Sequence, residues 1–372
     1  MPHGSEYYLY GVILADGQWS FGPIGIGGRG DEVRAVVYRD IAAVASPCPP
    51  ISFQTNDPQQ TLQRLAEHQA VLERVMAAST VLPVKFGTWV CDKAEVEGIL
   101  RGGYCNLRAA LDRFEGRIEL DVVATWPELA VVLGQIAAEP EICNLKAELQ
   151  QGGAVSAEQC IQLGQLVKSR LDARREKLSA EILAELGPAS EDTSVNELKD
   201  DSMILNVAFL ITRRGEQEFD RKVHELDRRY RGKLHFRCVG PLPPYSFATT
   251  QIDRLEAAGL DAARKTLELP ETAGFAQIKE AHRRLLRAAH PDNHPDDPEA
   301  DGRLKAVSEA YRVLEQYCQH APHRLGGEKA RDLCVVRIRR LAELRMELSC
   351  QMSDPPPAPS VRPERETVTA SC

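Results

Sequence analysis

Three groups of residues have types and spacings that bear on chemistry. Gly25-Ile26-Gly27-Gly28-Arg29-Gly30 satisfies Gly-x-Gly-x-x-Gly, in which backbone amides at a helix N-terminus receive a pyrophosphate. That mechanism needs a helix after the loop. The residues that follow, Val33-Arg34-Ala35-Val36-Val37-Tyr38, read as a strand, so the glycines are expected to form a hairpin loop, and the embedded Arg29-Gly30-Asp31 is given no role. His290 and His294, with Asp292, Asp296 and Asp297, are metal-donor types. Pro291 and Pro295 preclude the helix that would put both histidines on one face, so a solvated turn without metal is expected. The ten cysteines, at 48, 91, 105, 143, 160, 238, 318, 334, 350 and 372, contain no Cys-x-x-Cys pair. Zinc ribbons and redox dithiols need that close spacing. Reduced thiols acting as small buried hydrophobes are the expectation.

The chain that carries these groups has 372 residues, with 46 Lys plus Arg against 54 Asp plus Glu and a net charge of −8. Apolar residues make up 43% and charged residues 27%, a globular balance with room for two or three domains. The acidic balance argues against wholesale binding to nucleic acid. Met203 to Ile211 is the longest nearly unbroken apolar run, too short for the roughly 20 residues of a spanning helix. The first residues, Met1-Pro2-His3-Gly4-Ser5-Glu6, lack the basic and apolar regions of a secretory signal. A reducing cytosol is the expected setting.

Periodicity divides the chain into four parts. Residues 1–127 read as a ferredoxin-like α+β module in the order β-β-α-β-α-β: a strand from Tyr7, a strand over Val33–Ala45 bending at Arg39-Asp40, and a helix opened by Asp57-Pro58. A strand over Val84–Val90, helical segments at 94–100 and 107–114, and a closing strand over Ile118–Trp126 complete it. Residues 128–251 read as a helical segment followed by a second α+β module. A Ser156/Gln159 capping box starts its long helix, Ile204–Ile211 is a central strand, and Phe219, Val223, Leu226 and Tyr230 line an amphipathic helix. From Ile252 the pattern turns helical, and 252–320 is a helical domain. In it Ile278, Ala281, Leu285 and Ala288 make one apolar stripe, and Leu304, Val307, Tyr311, Leu314 and Cys318 a second. Lys279, Arg283 and Arg287 recur every four residues on an exposed face. Residues 321–372 read as a basic amphipathic helix, rich in arginine from Arg324 to Arg345, and a disordered tail.

Three segments resemble the gas vesicle protein F/L family (GvpF/GvpL). They are Val81-Leu82-Pro83-Val84-Lys85-Phe86-Gly87-Thr88 with His68 before it, Leu171-Asp172-Ala173-Arg174-Arg175, and Ile204 to Leu210 through Phe219-Asp220 to Gly240-Pro241-Leu242-Pro243-Pro244-Tyr245-Ser246-Phe247. The resemblance spans about residues 6–250. It implies two modified ferredoxin-like or α+β modules and a non-enzymatic component of gas vesicle formation, associated with the shell protein and other accessory proteins in the cytoplasm. Pro83, Phe86, Gly87, Phe209, Gly240, Pro241, Pro244 and Tyr245 carry the signature and are read as structural or assembly positions. No nucleophile–base–orienter set accompanies them, and neither catalysis nor a cofactor is expected.

Residues 258–318 resemble a J domain of the DnaJ type, on Leu267-Glu268-Leu269-Pro270, Ile278 to Leu286, His290-Pro291-Asp292 and Val307 to Leu314. The resemblance implies docking onto a DnaK-type chaperone. His290, Pro291 and Asp292 would be the loop that stimulates ATP hydrolysis by the partner, and Lys279, Arg283 and Arg287 the electrostatic docking face. Asn293 stands where the family has lysine, and His282 where it has an aromatic residue. No Gly/Phe-rich region or zinc module follows. The combined expectation is an α+β chain ending in a J-like helical hairpin, an accessory protein of gas vesicle formation that recruits a DnaK-type chaperone. Two rival readings are a general co-chaperone with an unrelated client-binding region, and a metal-dependent enzyme using the His/Asp loop.

Overall fold

A computed structural model describes residues 6–15, 17, 20–48, 57–151, 156–255, 257–289, 300–320, 324–325, 333–341 and 343. Its first sheet is built around β1 (Glu6–Leu14), a run apolar on alternate residues in both directions. Such runs belong to strands with both faces covered. β2 (Ser20–Gly22), β3 (Val33–Tyr38) and β4 (Ile41–Cys48) follow, then α1 (Pro58–Met76), β5 (Val81–Pro83), β6 (Trp89–Val90) and α2 (Lys93–Phe114). The strands form one antiparallel six-stranded sheet in the order β2-β3-β4-β1-β5, with β6 also on β1. Tyr8, Tyr10 and Ile13 face α1 through Val71, Leu72 and Val75, whereas Leu9 and Val12 face α2 through Leu100, Leu107 and Leu111. The Asp57 carboxylate caps α1, accepting from the Gln59 amide at 2.9 Å, with Pro58 at the first helical position as its sequence requires.

The second sheet contains β7 (Arg117–Thr125), β8 (Asp192–Val195), β9 (Met203–Thr212) and β10 (His235–Leu242), in the order β10-β7-β9-β8. Between β7 and β8 lie α3 (Leu129–Ala137), α4 (Pro140–Gln151) and α5 (Ala157–Leu186); between β9 and β10 lies α6 (Glu216–Arg229). This is the βαββαβ connectivity with strands ordered fourth, first, third, second: the ferredoxin-like arrangement, enlarged by α3 and α4. The Ser156/Gln159 capping box is present. Phe209 and Phe219 meet at a centroid distance of 5.1 Å in the core. β9 pairs on both sides, as a strand apolar on both faces should.

Beyond β10 the chain forms β11 (Thr249–Leu255), α7 (Ala257–Thr266), β12 (Ala273–Gly274), α8 (Phe275–Ala289), α9 (Ala300–His320), β13 (Arg324–Leu325) and β14 (Leu333–Arg339). The helices α7, α8 and α9 share one core, with Leu260, Leu267, Ile278, Ala281, Val307 and Leu314 buried in it.

Several expectations are corrected. The Val33–Ala45 stretch is a hairpin rather than one bent strand, because Arg39 adopts φ 55° at the turn. Helices cover both faces of the first sheet, α1 one and α2 the other, where the expected α+β module segregates them to one face. The two helical segments at 94–100 and 107–114 are one helix, α2, running through Gly102 and Gly103. Val84–Val90 is replaced by the short strands β5 and β6. The strand at 117–125 belongs to the second sheet, where it holds β9 and β10 apart. The helical pattern does not begin at Ile252, which is in mid-strand on β11.

The basic amphipathic helix read over 324–345 is overturned where described. Leu333-Cys334-Val335-Val336-Arg337-Ile338-Arg339 is β14, antiparallel to β11 from Thr249↔Arg339 to Leu255↔Leu333. Its β-branched residues suit a pleated surface, and the side chains of Val335 and Val336 are buried. Ala288 is exposed rather than part of its stripe. Cysteines are less buried than expected: Cys48 and Cys318 are buried, but Cys91, Cys105, Cys143, Cys160 and Cys238 are exposed. The tail at 354–372 lies outside the described residues.

Candidate functional site: a signature joint and a basic helix

The signature residues near 81–88 and 240–247, distant in sequence, come together where the two sheets meet. Pro83 pairs with Gly11 at the end of β5. Just beyond it, the Gly87 amide donates to the Tyr8 hydroxyl at 3.0 Å, and that hydroxyl contacts His68 Nδ1 at 3.0 Å. Either group can donate in the Tyr8–His68 bond, according to the imidazole tautomer, and burial favours the neutral ring. His68 is 1% exposed, and burial holds its pKa down at about 4. Phe86 meets the imidazole edge-on at 5.6 Å, and Tyr245 packs into the same cluster while donating to Gln69 Oε1 at 2.8 Å. His68 is thus a core histidine placed by α1 among aromatic rings.

The Gly240–Tyr245 run carries the chain from β10 to β11. The Gly240–Pro241 peptide is cis. Gly240 has φ 149°, and a Cβ there would stand 2.5 Å from Leu120 Cδ2 and 2.9 Å from the Glu119 carbonyl. Only glycine fits so close to β7. The Pro244 carbonyl accepts the Ala248 amide at 2.8 Å, closing the turn. Next in the chain, Ser246 donates to the Glu119 carboxyl twice, from its amide and its hydroxyl, each at 2.8 Å. Glu119 is 2% exposed; burial, then the neighbouring Asp121 charge, pushes its pKa up to about 8. The Ser246 carbonyl in turn accepts the Leu341 amide at 3.2 Å. One serine therefore ties the second sheet to the segment following β14.

Phe209 is not brought to this joint; it lies in the core between the second sheet and α6. The Leu171–Arg175 segment has a separate task that spacing did not disclose. Arg175 donates to the Met203 carbonyl at 2.9 Å and the Asp201 carbonyl at 3.0 Å, pinning α5 to the start of β9. The glycine fingerprint is a loop leading into β3. Its Ile26 amide donates to Tyr10 Oη at 2.7 Å and its Gly27 amide to Glu67 Oε2 at 2.8 Å, so protein oxygens occupy donors that a phosphate would need. A groove of about 740 Å³ between α3, α5 and α6 is lined by Trp126, Val132, Leu178 and Tyr230, whose hydroxyl donates to Glu181 at 2.6 Å. Among the described residues no three His, Cys, Asp or Glu side chains cluster as metal donors. His290, His294 and the aspartates around them lie outside those residues.

On α8, Lys279, Arg283 and Arg287 are all exposed on one side, away from the buried Ile278 and Ala281. Lys279 Nζ lies 4.4 Å from the Phe275 ring, and the adjacent Arg284 pairs with Glu268 at 2.7 Å. His282 stacks flat on Tyr311 at 4.0 Å, with 9° between the planes. The imidazole thus does the packing of an aromatic residue, and desolvation lowers its pKa. The loop His290-Pro291-Asp292, between α8 and α9, lies outside the described residues.

This joint and its signature fall inside a single match: residues 6–249 match the family described as gas vesicle synthesis protein GvpL/GvpF. The chain belongs to the GvpL/GvpF family. Gas vesicle protein F of Nostoc is 30% identical over 189 residues, covering 50% of this chain and 77% of that protein. Gas vesicle protein F of Haloferax mediterranei is 25% identical over 248 residues, covering 66% and 94%. The crystal structure of GvpF from Anabaena superposes with a TM-score of 0.55 at 25% identity, over 65% of this chain and 98% of that one. Residues 265–320 match the DnaJ domain. The chaperone protein DnaJ of Nitratiruptor is 48% identical over 48 residues, 13% of each chain. The GvpL/GvpF region and the DnaJ domain are therefore joined in one chain, and no helix among the described residues is long and apolar enough to cross a membrane.

Proposed function

We propose that this protein is an accessory factor of gas vesicle formation that binds the shell protein or other vesicle proteins through its GvpL/GvpF region. Its DnaJ domain brings a DnaK-type chaperone to them. The observation that carries this reading is the union of the two regions, with Lys279, Arg283 and Arg287 exposed together on α8. Apolar shell subunits are prone to associate wrongly before they join a vesicle, and tethering raises the local concentration of a chaperone without requiring a tight contact. The docking face acts by charge, so it steers encounter and orientation. His290, Pro291 and Asp292 are assigned to stimulation of the partner's ATP hydrolysis. The signature residues around Phe86 and Tyr245 act by holding the two sheets together. No catalytic step by this chain is invoked.

Deletion of the gene should abolish or reduce buoyant vesicles, with rescue by the intact protein; normal vesicles after deletion would sink the assembly role. His290→Gln should remove stimulation of the chaperone ATPase while leaving the fold intact. If wild-type protein gives no stimulation, the co-chaperone role fails. Proteins that co-purify with the intact chain should be dominated by vesicle components; unrelated clients would favour a general co-chaperone instead.

A further inference from the structure

The DnaJ domain is inserted into a hairpin instead of being appended to an end. β11 and β14 pair in one unbroken antiparallel register ending at Leu255↔Leu333, so residues 256–332 leave from the hairpin's tip. β14 lies beyond both matched regions, which cover 6–249 and 265–320. It nevertheless packs on the GvpL/GvpF unit. Val336 rests on Gly103 of α2, whereas the Arg337–Asp253 pair at 3.4 Å lies within the hairpin, between β14 and β11. Arg340 pairs with Asp192, and the Leu341 amide bonds to the Ser246 carbonyl. β11 is anchored separately, since the Lys85 amide donates to the Thr250 carbonyl at 2.9 Å.

Both connections to the inserted unit are short. Only Glu256 separates β11 from α7. At the exit, β13 is paired back onto β12, and residues 326–332 alone lead to β14. Seven residues reach at most about 25 Å when fully extended. α9 also packs against β14. A unit on a free C-terminal leash would instead wander over a distance growing as the square root of the linker length.

We propose that this insertion holds the Lys279–Arg283–Arg287 face at a set place relative to the GvpL/GvpF unit, so that a recruited DnaK-type chaperone acts on vesicle proteins bound to the same chain. The inference rests on the co-chaperone reading above and adds a geometric requirement to it. Two-point attachment limits the volume the chaperone explores and selects clients held in cis.

The test compares full-length chains in cells lacking the native gene. In one, flexible Gly/Ser segments of about twenty residues are added after Glu256 and after Gly327. In the other, the hairpin is closed by an Asn-Gly turn, and residues 257–325 are moved behind Cys372 on a flexible linker. Purified variants should stimulate the chaperone ATPase within about twofold of the native chain, while vesicle yield falls at least about fivefold, because effective concentration is lost without loss of a contact. Native yield from chains that stimulate normally would overturn the inference and leave the co-chaperone reading standing. Absence of stimulation by the native chain would overturn that reading itself. Hydrogen exchange over 333–339 reports whether the hairpin is intact. A fall in yield accompanied by lost protection there is a folding defect and counts against the inference. Should the relocated chain fail to fold, the lengthened chain decides, since its hairpin sequence is unchanged.

Discussion

Gly103 lies directly against Val336: a Cβ on the glycine would stand 2.7 Å from Val336 Cγ2 and 2.8 Å from its Cβ. A mid-helix glycine ordinarily weakens a helix by roughly 1 kcal/mol relative to alanine. Here it makes room for the strand that closes the hairpin and thereby seats the DnaJ domain.

Gly103→Val should destabilise the protein by about 1–3 kcal/mol through overpacking and should reduce hydrogen-exchange protection over 333–339. Adding Val336→Ala should recover part of the loss, which a double-mutant cycle measures. Unchanged protection in Gly103→Val would show that the contact does not hold β14.

His68 has a folded pKa of about 4 against 6.5 for the free side chain. The unfolded chain therefore takes up a proton at this position that the folded chain refuses. Stability from this group is complete above about pH 6.5 and is lost as pH falls through about 4, by up to roughly 3 kcal/mol. Chemical denaturation across that range should show the slope, and His68→Phe should flatten it.

Glu119 works in the opposite sense, because its folded pKa lies above the ordinary carboxylate value, near 8. The folded chain keeps a proton that the unfolded chain has released. Stability from this group is complete below the ordinary carboxylate pKa and is lost as pH rises through about 8. Glu119→Gln should remove this decline between about pH 4.5 and 8 while an oxygen still accepts from Ser246. A wild-type decline that persists unaltered in the variant would contradict the assignment.

Arg175 bonds two carbonyls at the start of β9. Arg175→Met should cost about 1–3 kcal/mol by leaving acceptors without their donor. Arg175→Lys should rescue little, since a single ammonium lacks the planar fork that spans both oxygens. Thermal melts of the three proteins provide the comparison.

Reversing charge on α8 with Arg283→Glu should weaken stimulation of the chaperone ATPase about tenfold or more, with greater loss at low salt than at high salt. The melting curve should not move, because Arg283 is exposed.

Helix starts were legible because their signals are local. Asp57-Pro58 and Ser156 with Gln159 cap their helices whatever surrounds them. So were the amphipathic stripe of α6, the core stripes of α8 and α9, and the family to which residues 6–249 belong, since each is a pattern within a short stretch or an ordered set of motifs. The exposed basic face of α8 followed from four-residue spacing alone.

Sequence by itself thus determined the families, the central strand β9 and most helices. Tertiary structure alone decided which sheet β7 joins and that 333–339 is a strand. It also decided that His68 meets Tyr8 and Phe86, and that Glu119 meets Ser246 across 127 residues. The physical reason is the same in each case. An arginine-studded apolar run satisfies helical and strand periods alike until a partner strand supplies hydrogen bonds and α2 supplies a glycine-wide space for Val336. Strand pairing and burial are properties of residues far apart in the chain, and they become definite only when the backbone has brought those residues together.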